Sequence, residues 1–236
     1  MRQLFYRWIL NLFFPRLCVG CHQVGSYLCS NCTQQISQKD LICPQCTRPA
    51  MFGQTHPICQ RPYGLDGLWT YGSYSLPLKQ LLQKLKYRGI YDLVEELVDL
   101  VITYWLVYPP QFLDLIKKDR GVNWIIVPVP LHPQRQRQRG FNQSTLIAKS
   151  LAKKTGLVYR DCLIKTKNTQ PQAKLDRHSR LINLHGAFKL AADCQLLAAS
   201  ILLVDDVWTT GTTLRECAKI LKRSGAKQVW GLTIAR

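Results

Sequence analysis

The amino-acid sequence predicts an α/β fold built on a parallel sheet, preceded by a small metal-bound domain. Three observations carry that prediction. ILLVDD (201–206), TLRECAKILKRSGA (213–226) and QVWGLTIA (228–235) follow one another as strand, helix and strand, and strands joined through a helix pair in parallel. Seven of the ten cysteines precede residue 60, mostly in CxxC pairs, which is the spacing of thiolate metal knuckles. A length of 236 residues suits one medium domain plus a small one.

Taken in order, residues 1–16 pattern as an amphipathic helix. Gln3, Arg7 and Asn11 recur at helical spacing and leave Leu4, Phe5, Trp8, Ile9, Leu12 and Phe13 on the broad remaining face. Such a helix is expected to dock on the body of the protein, with contact to a membrane surface as the lesser alternative. The segment resembles a signal peptide only superficially: it lacks a small-residue cleavage site and runs directly into CVGC. No apolar stretch is long enough to span a bilayer. Thiolate metal sites imply a reducing compartment, so the expected location is cytoplasmic, and Cys162, Cys194 and Cys217 read as scattered and unpaired.

Residues 17–62 lack periodic apolar pattern, so metal must substitute for a core there. The ligands come as pairs: Cys18/Cys21, Cys29/Cys32, Cys43/Cys46 and His56/Cys59. Two knuckles close one tetrahedral zinc, and no open coordination position is evident, so the zinc is expected to be structural. Sequential pairing is simplest; interleaved pairing or a single occupied site stays open. His22, inside a pair, reads as a bystander.

RPYGLDGLW, from Arg61, reads as a hinge, and residues 67–236 form the α/β domain. LKQLLQKLKYRGIYDLVEELVDLVITYWLV (78–107) looks helical, interrupted near Gly89. WIIVPVPL, from Trp124, is a buried strand ending in a proline-rich loop. Asn142 is placed to cap a helix that Gly156 would stop. Residues 165–188 are polar and basic, a candidate mobile loop.

The net charge of +18 calls for a polyanionic partner: phosphorylated small molecules, nucleic acid or an anionic membrane. ILLVDDVWTTGTT (201–213) narrows the choice. Its threonines offer N–H and hydroxyl groups, Gly211 allows close backbone approach, and the following helix adds positive potential, so a phosphate can sit there. The two aspartates cannot bind that phosphate; they suit sugar hydroxyls or a divalent cation beside it. Phosphate plus diol describes a ribose 5-phosphate.

ILLVDDVWTTGTT resembles the phosphoribosyl-pyrophosphate (PRPP) signature of type I phosphoribosyltransferases. With VPVPLHPQRQRQRGFNQ (127–143), TQPQAKLDRHSRLINLHGAF (169–188), LKYRG (85–89), the terminal TIAR and the cysteine pairs, the chain resembles the ComF family of competence-associated, phosphoribosyltransferase-like proteins. The resemblance implies a Rossmann-like phosphoribosyltransferase domain behind a double zinc ribbon. It implies Asp205 and Asp206 as catalytic carboxylates on the ribose hydroxyls, and Val207, Thr209, Thr210, Gly211, Thr212 and Thr213 around PRPP. Arg135, Arg137 and Arg139 would neutralise pyrophosphate, sharing one side only if their stretch is extended, and Mg²⁺ would arrive with PRPP. Lys165 to Gln172, including Lys167, resembles a mobile catalytic hood. Transfer of phosphoribose to an unidentified acceptor is the implied reaction. Single-stranded DNA binding alongside competence machinery, or PRPP sensing without turnover, are the competing expectations. Two departures stand out: His56 replaces a usual cysteine, and Trp208 fills a slot often held by a smaller aliphatic or tyrosine.

Overall fold

The computed structural model describes residues 15–88, 91–119, 123–168, 184 and 186–236. The amphipathic N-terminal stretch (apart from its last two residues), the interruption at Gly89 and the hood residue Gln172 lie outside the described residues. The strands among these residues are β1 (Gly67–Gly72), β2 (Trp124–Pro128), β3 (Val158–Tyr159), β4 (Leu163–Lys165), β5 (Phe188–Leu190), β6 (Ser200–Val207) and β7 (Gln228–Ala235). The helices of the α/β part among these residues are α2 (Leu78–Arg88), α3 (Tyr91–Val107), α4 (Gln111–Lys118), α5 (Pro133–Arg139), α6 (Gln143–Thr155) and α7 (Thr212–Arg223), after a short α1 (Ser30–Gln34) in the metal domain.

Five strands form one sheet in the order β1-β7-β6-β2-β3, every pair parallel. The aliphatic run of β6 explains its central place. Ile201 and Leu203 enter one hydrophobic layer, Leu202 and Val204 the other, because successive strand residues face opposite sides. One layer holds α2, α3, α4 and α6; the other holds α7 and the antiparallel β4–β5 pair. The connection β2–α6–β3 runs to one side of the sheet and β6–α7–β7 to the other. The C-terminal ends of β2 and β6 therefore flank a switch point, the standard crevice for ligands in open α/β sheets.

Helix α6 forms as its sequence predicts. The Asn142 side chain accepts from the Ser144 N–H, and Gly156 stops the helix at φ +74°. RPYGLDGLW differs from its reading as a hinge, because its last residues begin β1, which pairs along β7 from Gly67 to Gly72. The metal domain lies on the outer edge of β1: Gln54 bridges Gly67 and the Thr55 N–H donates to Asp66 O. Its two halves join different layers, Cys18, Leu28 and Ile36 on the α2/α3 side and Ile42 on the α7 side.

The expectation for two of the scattered cysteines is overturned. Cys162 and Cys194 are not unpaired but form a disulfide. Pairing of β4 with β5 brings Ala191 opposite Cys162, whose carbonyl accepts the Ala191 N–H, so the two thiols meet across 32 residues of sequence. Cys217 remains a free, buried thiol.

Candidate functional site

The two aspartates occupy the C-terminal end of β6 and have separate supports. Asp205 Oδ1 accepts from the Ser144 hydroxyl at 2.8 Å and from the Asp206 N–H at 2.9 Å. Burial, then the neighbouring Asp206 charge, pushes the Asp205 carboxyl up to about 7, against the pull of Ser144, the Asp206 N–H and Lys86. Asp206 instead pairs with Lys86 Nζ at 2.7 Å. Burial works against the Lys86 ammonium, but the Asp206 carboxylate outweighs it and leaves its pKa raised. One carboxyl is thus tuned near neutrality and the other held beside a fixed cation.

Beyond them the chain turns sharply. Val207 closes the strand opposite Ala235, and the Trp208 N–H donates to Ala235 O at 2.8 Å. The Trp208 ring is buried directly beneath Gly211, where a Cβ would stand 2.1 Å from the indole. Gly211, at φ +76°, is the N-cap of α7, and no side chain among the described residues caps that helix. A helix N-terminus without a side-chain cap is a ready seat for an anion. Thr210 and Thr212 hydroxyls lie 3.0 Å apart, Thr209 is exposed, and Thr213 sits in the first turn. The loop is a tight cradle on an aromatic floor.

A basic rim faces this end of the sheet. RQRQR is helical rather than extended, so Arg135 and Arg139 share one half-buried face while Arg137 points to solvent. Arg139 donates to Gln143 Oε1 at 2.7 Å, and burial together with Arg139 depresses Arg135. Lys165 belongs to β4, not to a mobile loop. It is 8% exposed, with its ammonium 5.4 Å from the Phe188 ring centroid. Burial first, then Arg135, lowers its pKa, with Cys217 and Asp205 opposing. Lys167 is exposed. The structure brings Asp205, Asp206 and the threonine loop together with Lys86 and sets Arg135 and Lys165 within electrostatic reach of one another; it leaves Arg137 apart. Sequence reasoning missed Lys86, although LKYRG carried it, and Ser144, which left no local signal.

The metal centres resolve the ligand pairing. Cys18, Cys21, Cys29 and Cys32 cluster in one group, Cys43, Cys46, His56 and Cys59 in another, with all ligand atoms of each within 4.8 Å. The sequential arrangement holds. The Cys21–Cys29 Sγ separation is 3.5 Å and the Cys46 Sγ–His56 Nδ1 separation 3.4 Å, near the ~3.5–3.8 Å edge of a zinc tetrahedron. Both knuckles share one geometry: His22 and Thr47, each following the second cysteine, take φ near +60° and donate N–H groups to Cys18 O and Cys43 O. His56 Nε2 lies 3.0 Å from Pro49 O, which makes Nε2 the protonated nitrogen and leaves Nδ1, beside the Cys46 sulfur, as the donor that would hold a zinc ion. His22 lies outside both clusters.

A family model for the double zinc ribbon domain matches residues 9–61. Over 94% of this chain and 98% of its own length, the DNA utilization protein YhgH of Salmonella typhimurium is 34% identical. Competence protein F of Haemophilus influenzae is 32% identical over 94% of this chain and 99% of its own. The chain belongs to the ComF family. Competence protein ComFC of Bacillus subtilis, 28% identical over 89% of this chain and 84% of its own, is a more distant relative. Membership places structural zinc in both ribbons, in keeping with a donor set of four thiolates in the first and of three thiolates and an imidazole in the second. Among the described residues no helix is long and apolar enough to cross a membrane.

Proposed function

We propose that this ComF-family chain binds PRPP with Mg²⁺ at the β6–α7 turn and serves in DNA utilization and competence, the roles named for its relatives. The observation that carries the reading is the juxtaposition of two differently supported carboxylates with an uncapped helix N-terminus inside a threonine loop. The α7 N–H groups and the hydroxyls of Thr210, Thr212 and Thr213 take the 5-phosphate; Asp205 and Asp206 take the ribose hydroxyls. Lys86 then lies beside the sugar, and Arg135, Arg139 and Lys165 offer positive charge to the pyrophosphate. Displacement at the anomeric carbon passes through an oxocarbenium-like state, which the nearby carboxylates stabilise while the cations stabilise the departing pyrophosphate. Lys167, exposed two residues beyond β4, offers a further cation to the pyrophosphate in this reading. We place the protein in the cytoplasm.

The test is thermal stabilisation by PRPP with Mg²⁺, measured for the native protein and for Asp205→Ala and Asp206→Ala. Stabilisation lost in both variants supports the reading; none in the native protein ends it. Pyrophosphate released across a pool of cellular acceptors separates phosphoribosyl transfer from sensing. The net charge of +18 favours a second reading, single-stranded DNA held on the basic rim. DNA affinity that falls steeply with salt yet survives both aspartate substitutions would support it.

A further inference from the structure

The two metal centres make different connections to the rest of the molecule. The first packs on the α2/α3 side, where Glu96 accepts the Tyr27 and Leu28 N–H groups at 3.0 and 2.7 Å. The second reaches the threonine loop through the Arg215 side chain. Arg215, on the first turn of α7, donates from Nε to Pro44 O at 2.6 Å and from Nη2 to Gln45 O at 3.2 Å. Its Nη1 donates to Thr210 O at 3.0 Å, and the guanidinium lies 5.4 Å from the Trp208 ring centroid. Pro44 and Gln45 are the two residues between the ligands Cys43 and Cys46. Inside this knuckle the Thr47 N–H donates to Cys43 O and the Cys43 N–H to Arg48 O, both at 2.9 Å. A continuous path therefore runs from the peptides between two metal-ligand cysteines through the Arg215 fork to the loop carbonyl. The planar fork suits this role because it holds three acceptors in one fixed geometry, which a lysine cannot.

We propose that Arg215 is a positioning residue through which the second metal centre, and not the first, holds the Thr209–Thr213 loop in its anion-binding conformation. Without that metal the Cys43–Cys46 knuckle loses its closure, Arg215 loses two oriented carbonyls, and the loop loses its brace against Trp208. What the loop binds rests on the reading above; the coupling itself does not.

Hydrogen–deuterium exchange of the zinc-loaded full chain, without ligand, tests it. Cys59→Ser should raise amide exchange across residues 208–216 about tenfold or more, as removal of charged hydrogen bonds does for a local opening. Arg215→Ala should match it while native mass spectrometry still counts two zinc ions. Arg215→Lys should recover only part of the protection, and Cys21→Ser should leave these amides unchanged. Should Cys59→Ser fail to fold, Arg215→Ala alone decides, since it leaves every ligand in place. Protection unchanged in Arg215→Ala, or lost equally in Cys21→Ser, overturns the proposal. PRPP binding by the native protein is measured separately, so failure of the ligand reading and failure of the coupling are distinguishable.

Discussion

Gly211→Ala puts the geometry of the threonine loop under direct strain. Two independent costs arise from one methyl group. At φ +76° and ψ 0° the backbone is left-handed, which costs an L-residue about 1–2 kcal/mol. The added Cβ would stand 2.1 Å from Cζ2 and 2.2 Å from Cη2 of Trp208, a ring only 3% exposed. Forcing an extra carbon against a packed side chain costs about 1–3 kcal/mol. The sum, about 2–5 kcal/mol, is a large part of the ~5–15 kcal/mol that holds an ordinary domain together. Urea unfolding of the zinc-loaded protein, followed by far-ultraviolet circular dichroism, measures it. Trp208→Leu in the same background should return the steric part and leave the ~1–2 kcal/mol of backbone cost, so a double-mutant cycle should show coupling between the positions. A Gly211→Ala protein within ~0.5 kcal/mol of the native one, or costs that simply add, would refute the aromatic floor.

Three further outcomes follow from the same geometry. Asp205 has a folded-state pKa of about 7, above its unfolded value, so the folded protein binds more protons. Its contribution to stability is present at low pH and is lost as pH rises between roughly 4 and 7. Asp205→Asn should flatten that part of the stability–pH curve and gain relative to the native protein at pH 8 over pH 5, which thermal denaturation across pH would show. Lys86→Met removes the partner of Asp206 and one of the influences that lower the Asp205 pKa; carbon-13 NMR titration of the aspartate carboxyls should find Asp205 titrating higher still. His56→Ala takes one ligand from the second centre, and a chromogenic chelator should then withdraw one zinc much faster than from the native chain, whereas His56→Cys should hold both.

Much of this site was legible because its signals are local. A run of aliphatics, a pair of aspartates and a threonine loop lie within thirteen residues of sequence, and each does its work beside its neighbours in the chain. The zinc pairs and the caps at Asn142 and Gly156 were legible for the same reason. The failures share a different cause. β1 hides behind Pro62, Gly64 and Gly67, which mark a turn locally although the edge of β7 makes a strand there. RQRQR carries no apolar periodicity, so nothing in it announces α5; His132 and Gly140 delimit the helix. Cys162 and Cys194 meet only because β4 pairs with β5. Ser144 and Arg215 act through partners 61 and 171 residues away, which no window of sequence contains.

The position of the metal domain along β1 bears on how the protein behaves in bulk. Parallel sheets end in two rows of unmatched peptide groups, which invite other chains to extend them. At one end β3 is only two residues long and offers little to extend. At the other, β1 runs six residues, and the second ribbon lies against it through Gln54 and Thr55. Metal loss that freed Gln54 and Thr55 would uncover a ready template. Demetallated chains should therefore adhere to one another edge to edge before their α/β cores unfold, so that zinc governs solubility as well as folding.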